Sequence, residues 1–185
     1  MYKRQIQVIA KKEGWGTSPS SQKTVVRAKY QIAEVKLNQK PNDRYKAEGA
    51  FSLANFKKGT INFTEGEWLG YEGAHMTATL DMGKMLEVSN ISVSALEATG
   101  SYIFFPKQLN VSVSSDGKNF KNVAKKSIPT TLVPEPPFVK NFILPFETQN
   151  ARYIKVEVKS NLVNPSWHPA PGANCWIFVD EIMVE

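Results

Sequence analysis

The sequence predicts an all-β protein, an antiparallel β-sandwich of the jelly-roll kind. Three observations carry this. Apolar and polar residues alternate with period two in segment after segment, no window of helical length sustains a 3.6-residue period, and Pro/Gly-rich connections separate the segments. With 185 residues, 42% hydrophobic and 22% charged, the chain has an ordinary globular composition and can bury a core.

Taken in order, Met1-Tyr2-Lys3-Arg4-Gln5 has no apolar h-region and is not a signal peptide. It resembles the in-frame translation of a sequencing-library transposon adapter, so residues 1–5 are expected to be a non-native artefact, with any export signal further upstream. Ile6-Gln7-Val8-Ile9-Ala10 and Thr24-Val25-Val26-Arg27-Ala28 read as two strands around Gly14-Trp15-Gly16 and a Ser/Pro-rich bend. Two strands alone are marginally stable. Residues 6–30 are therefore expected to be the C-terminal remnant of a preceding β-sandwich module, and residues 31–185 the main domain. Asn38 to Asp43 is polar and reads as a loop.

Within the main domain, Met76, Ala78 and Leu80 alternate with Thr77, Thr79 and Asp81, and Ile91, Val93 and Ala95 with Ser92, Ser94 and Leu96. Leu109, Val111 and Val113 alternate with Asn110, Ser112 and Ser114 before a Ser115-Asp116-Gly117 hairpin turn; Ile154, Val156 and Val158 alternate with Lys155, Glu157 and Lys159. These are half-buried antiparallel strands. The end of the chain differs. A Trp167-His168-Pro169 loop runs into Cys175-Trp176-Ile177-Phe178-Val179, an apolar run that reads as a strand buried on both faces. Cys175, the one cysteine, has no partner for an internal disulfide and reads as a buried thiol.

Several function classes fit poorly. The net charge of +6 is spread along the chain with no run longer than a Lys-Lys pair, which argues against a nucleic-acid stripe. No stretch reaches the ~18 apolar residues of a membrane span. Asp180 and Glu181 are adjacent on a predicted strand, so they are expected to face opposite ways and not to form a glycosidase pair. Nucleophile-elbow and His/Cys metal spacings are absent. Aromatic residues are the richer signal. For Trp68, Tyr71, Tyr102, Phe104 and Phe105, closing the ends of a sandwich core is the leading reading, and Trp176 reads as core. Trp167 and His168 stand evenly between a ligand-facing rim and a packed loop, with Trp68, Tyr71 or His75 approaching from other end-loops. Arg152, opening a strand, reads as an ion-pair partner.

Pieces in order then carry a family likeness: Trp68-Leu69-Gly70-Tyr71-Glu72-Gly73, Ala78 to Lys84, Phe105 to Phe120, and Ala151 to Val156. Over residues 45–185 the chain resembles the discoidin domain (coagulation factor five/eight type C domain), a galactose-binding-like jelly roll. Gly100 to Pro106, Trp167-His168-Pro169 and the closing Trp176 to Ile182 resemble, more narrowly, the C-terminal module of bacterial exported β-N-acetylhexosaminidases, and Val8 to Trp15 the end of the chitobiase-type sandwich that often precedes it. The catalytic barrel of such enzymes, ~250 residues, is not in this sequence.

The resemblance implies a non-catalytic carbohydrate-binding module, working outside the cytoplasm (periplasmic, cell-surface or secreted), with a galactose- or N-acetylhexosamine-type glycan and the parent glycosidase's catalytic domain as partners. A spacer or adhesion module without glycan binding is the rival, and membrane binding is a third option that lacks an apolar spike loop. The resemblance also implies a possible structural calcium, held by Asn55 and Glu181. Asn55 stands where the family has Asp and Phe56 where it has Gly, followed by Lys57 and Lys58, changes that weaken a site for a hard cation.

Overall fold

The computed structural model describes residues 2–185, apart from the side chains of residues 2–7 and 21–27. Its strands are β1 (Tyr2–Val8), β2 (Ser21–Arg27), β3 (Glu34–Leu37), β4 (Leu69–Glu72), β5 (Met76–Glu97), β6 (Gln108–Ser114), β7 (Lys121–Ser127), β8 (Phe138–Lys159) and β9 (Trp176–Val184). Helix is confined to 3₁₀ turns at Ala50–Ala54 and Thr99–Ser101. The all-β expectation holds.

β1 and β2 pair with each other, from Tyr2↔Arg27 to Val8↔Ser21, and form their own two-stranded sheet. Met1 lies outside the described residues, while residues 2–5 belong to β1. Tyr30 already belongs to the main domain, packing on its core and donating its hydroxyl to the Glu87 carbonyl at 2.8 Å.

The other seven strands follow the order β4-β9-β5-β8-β6-β7, with β3 on β5. This continuous sheet folds into a sandwich because β5 and β8, 22 residues each, pass from one layer to the other. The first half of β5 pairs with β3 and with the last residues of β8, and its second half with β9 and the first residues of β8. The crossing falls at register shifts between Asp81/Leu86 and Val88/Asn90. Bulges bend strands in this way. Gly83 takes a φ of 74° in the first break, where its N–H donates to Asp81 Oδ1 at 2.7 Å, and Pro145 opposes Asn90 at the second. The segments predicted as separate strands at 76–80 and 91–95 are thus two halves of one element.

Inward residues of both layers meet in one core: Met76, Ala78 and Leu80 with Ile91 and Val93, Leu109 and Val111, Ile154 and Val156, and Ile177 and Val179. Each fully buried aliphatic side chain contributes about 1.5–3 kcal/mol. A second cluster, Trp68, Leu96, Ala98, Ile103 and Phe178, is packed against Tyr45, Phe63, Val139 and Trp176. Gly59 lies so close to Trp68 that a Cβ there would overlap the indole ring. Exposed Lys121, Lys125 and Lys126 line the edge strand β7, a charge placement that discourages edge-to-edge pairing.

β9 corrects one expectation. Its core-facing residues are Ile177 and Val179 at one end but Ile182 and Val184 at the other, so the alternation slips by one between them. The slip is a bulge: Glu181 pairs with Ser94 and Val179 with Ala95, leaving Asp180 as the extra residue. Asp180 and Glu181 therefore both turn away from the main core instead of facing opposite ways.

Candidate functional site

The loop between β8 and β9 is held mainly by its own backbone. Asn164 N–H donates to the Ala173 carbonyl, Gly172 N–H to that of Asn164, and Cys175 N–H to that of Leu162, at 2.8–3.1 Å. Asn164 Nδ2 adds a bond to the Ala170 carbonyl at 3.0 Å. Two aromatic heads staple this loop to its neighbours. His168, 4% exposed, receives the Ala170 N–H on Nδ1 at 3.1 Å, so Nε2 carries the proton and donates to the Thr99 carbonyl at 3.0 Å. Trp167 is half-buried and its Nε1–H donates to the Thr131 carbonyl at 2.9 Å. The two rings meet edge-on, with centroids 5.8 Å apart.

Tyr102 adds a ring that the sequence pattern did not single out as a binding group. It is 37% exposed, lies 4.7 Å from the His168 ring centroid, and holds a left-handed φ of 65°, a region that disfavours non-glycine residues. The backbone is fixed there because Tyr102 N–H donates to the Thr99 carbonyl while its own carbonyl accepts from Trp176 N–H at 2.8 Å. His168 thus joins an exposed tyrosine and a half-buried tryptophan into one rigid aromatic rim. A strained Tyr in a Gly-Ser-Tyr turn is visible only once the backbone is known.

The remaining aromatic candidates lie elsewhere. Trp68 and Tyr71 are buried, as in the core-closing reading, and offer no face to solvent. The Trp68 indole donates to the Thr60 carbonyl at 3.1 Å and the Tyr71 hydroxyl approaches the Gln39 carbonyl at 3.4 Å. Burial pushes the Tyr71 phenol well above its ordinary pKa. His75 is half-buried, and Ser160 N–H, at the start of the stapled loop, donates to its Nδ1 at 3.1 Å. Burial, then the charges of Lys159 and Lys107, lower the His75 pKa. The ring is therefore neutral at pH 7, with Nε2–H as its donor. Arg152 forms the anticipated ion pair, its Nε and a terminal nitrogen each donating to Asp81 at 2.9 Å.

The residues implied for calcium sit under the 55–59 loop. Phe56 takes a φ of 61°, the conformation that a glycine at that position would suit. Glu181 is 1% exposed and Asp180 0%. The Phe56 N–H and Lys58 favour a charged Glu181, but neither carboxylate oxygen closes a hydrogen bond, and burial pushes the carboxyl up to about 8. Burial likewise raises Asp180, against the pull of Lys58 and of Gly59 N–H, which donates to Asp180 Oδ2 at 2.7 Å. Asn55 Oδ1 accepts from Lys57 N–H at 2.9 Å, and its buried Nδ2, a donor, has no hydrogen-bond partner. A calcium ion needs six to eight oxygens. Around these carboxylates stand N–H groups and an ammonium, and the described residues contain no group of three or more His, Cys, Asp or Glu able to hold a metal. The residues do not fit calcium.

No family model matches the sequence, and no curated protein matches it. Solved structures do resemble it. A pectin-binding carbohydrate-binding module superposes with a TM-score of 0.55 at 17% identity, covering 84% of this chain and 91% of its own. Chitosan-binding module 1 of a chitosanase/glucanase from Paenibacillus sp. IK-5 gives 0.54 at 13% identity, covering 86% and 99%. The CpGH89 CBM32-5 module of Clostridium perfringens, solved with GalNAc-β-1,3-galactose, gives 0.50 at 16% identity, covering 82% and 93%. Each is matched over more than nine-tenths of its own length. The chain has the discoidin-like β-sandwich fold that these modules share.

Proposed function

We propose that the chain is a non-catalytic carbohydrate-binding module of an exported glycoside hydrolase, the resemblance favouring a β-N-acetylhexosaminidase as parent. Its ligand is a galactose- or N-acetylhexosamine-type sugar, and the module keeps the parent's catalytic domain near such glycans outside the cytoplasm. The observation that carries this is the rim of Trp167 and Tyr102 around the pinned His168. A pyranose presents an apolar C–H face and a ring of hydroxyls, so it is held by an aromatic plane with hydrogen-bonding groups nearby. His75 holds the start of the same loop by accepting the Ser160 N–H.

At about 0.3 kcal/mol per heavy atom, a monosaccharide binds at roughly millimolar strength or weaker. The test is an NMR titration of the chain with galactose, N-acetylgalactosamine and N-acetylglucosamine. Saturable shifts in the indole N–H signal of Trp167 are expected. One observation favours a spacer instead: His168 is buried with both ring nitrogens engaged, which is packing rather than recognition. No shift with any sugar up to tens of millimolar makes the spacer reading the better one.

A further inference from the structure

We propose that the Lys58 ammonium is the resident cation of the buried Asp180–Glu181 pocket, so that this sandwich needs no metal ion to close its 55–59 loop. The β9 bulge turns both acids to the same side, away from the main core, where they are almost wholly cut off from water. A buried carboxylate is tolerated only when paired or hydrogen-bonded. Lys58 reaches over this pocket. Its Nζ lies 4.0 Å from Asp180 Oδ1 and donates to Asn141 Oδ1 at 3.1 Å, which fixes the head between β8 and β9. The next residue completes the clamp, since Gly59 N–H holds the other Asp180 oxygen at 2.7 Å. Phe56 takes its left-handed backbone just before these two groups, at the turn that leads into them.

A hard cation in the same place would meet the wrong partners. The Lys58 charge stands beside Asp180, and Asn55 Nδ2 is a buried donor without a partner. Lys58 Nζ on one Asp180 oxygen and Gly59 N–H on the other leave the buried Asp180 carboxyl already partnered from both sides. A divalent ion added to that set would require Lys58 to swing out into solvent. Nothing here depends on the chain binding a glycan.

The test is thermal unfolding of the full chain in EDTA and in millimolar calcium chloride, with calorimetric titration of calcium into the native chain alongside. The native chain is expected to melt within about 1 °C in both buffers and to give no binding heat. Lys58→Met is expected to melt several degrees lower, and calcium is expected to recover part of the loss in Lys58→Ala, where the shortened side chain frees the space. A native chain that calcium stabilises by about 4 °C or more, or that EDTA destabilises, overturns the proposal, as does Lys58→Met melting at the native temperature. Should Lys58→Met fail to fold, the double variant Lys58→Met/Asp180→Asn is expected to regain the fold by removing the stranded charge. The native-chain titration decides without any variant.

Discussion

His168 and Trp167 are neighbours in sequence with different duties. His168 spends both ring nitrogens on backbone groups, Ala170 N–H and the Thr99 carbonyl, so it holds the rim together. His168→Ala leaves both partners unpaired and opens a cavity, at an expected cost of roughly 2–4 kcal/mol. A urea midpoint that falls with an unchanged slope would report this; a midpoint equal to the native one would show that the staple is idle. The sequence could not separate these roles, because a Trp-His-Pro loop reads the same whether its histidine faces a ligand or a carbonyl. Arg152 was more legible: its expected ion pair is present, although it lies within β8 instead of opening a strand. Its bond holds the Asp81 carboxyl below the usual carboxylate range, helped by Gly83 N–H. An acid whose folded pKa is depressed adds stability above its unfolded value of about 3.9, and that stability is lost as pH falls through the folded pKa. Asp81→Asn should therefore flatten the acid limb of the stability–pH curve below about pH 4 and change neutral stability by about 1 kcal/mol or less, since the pair is partly solvated.

At the scale of elements, the period-two pattern found the inward faces of β5, β6 and β8 but not how they join. Two predicted strands merge into β5 because a bulge leaves the alternation on either side intact and only bends the chain. The same physics hid the acidic pocket. Strict alternation sends Asp180 and Glu181 to opposite faces, whereas one extra residue in β9 puts them together. The first half of β8 was invisible for another reason: Phe142, Ile143 and Leu144 are all apolar in sequence, although Phe142 and Leu144 are buried and Ile143 is exposed. Residues 6–30 read as the remnant of a preceding module, and in the structure β1 and β2 pair with each other. Deleting residues 1–28, which keeps the Tyr30 bond to Glu87, is expected to leave the melting temperature within a few degrees. Cooperative loss of the fold would place the hairpin in the main core.

For the whole molecule, one core shared by two layers gives a rigid frame, and the end loops are the places left for chemistry. Burial raises the Cys175 thiol pKa, which makes it a poor nucleophile, and the Asp180–Glu181 pair is buried away from any substrate. No helix among the described residues is long and apolar enough to cross a membrane. What the sequence conveyed at this scale was the order of strands and turns, enough to name the fold. The partner chemistry was less legible, because it rests on which of several aromatic rings remain exposed after packing. The most direct measurement is a side-by-side sugar titration of the native chain and Trp167→Ala, by NMR, with unfolding curves on both. Binding at about millimolar strength that Trp167→Ala loses at least tenfold, while keeping its fold and melting temperature within a few degrees, is the predicted result. Equal binding by the two chains, or none by either up to tens of millimolar, would contradict a glycan site on this rim.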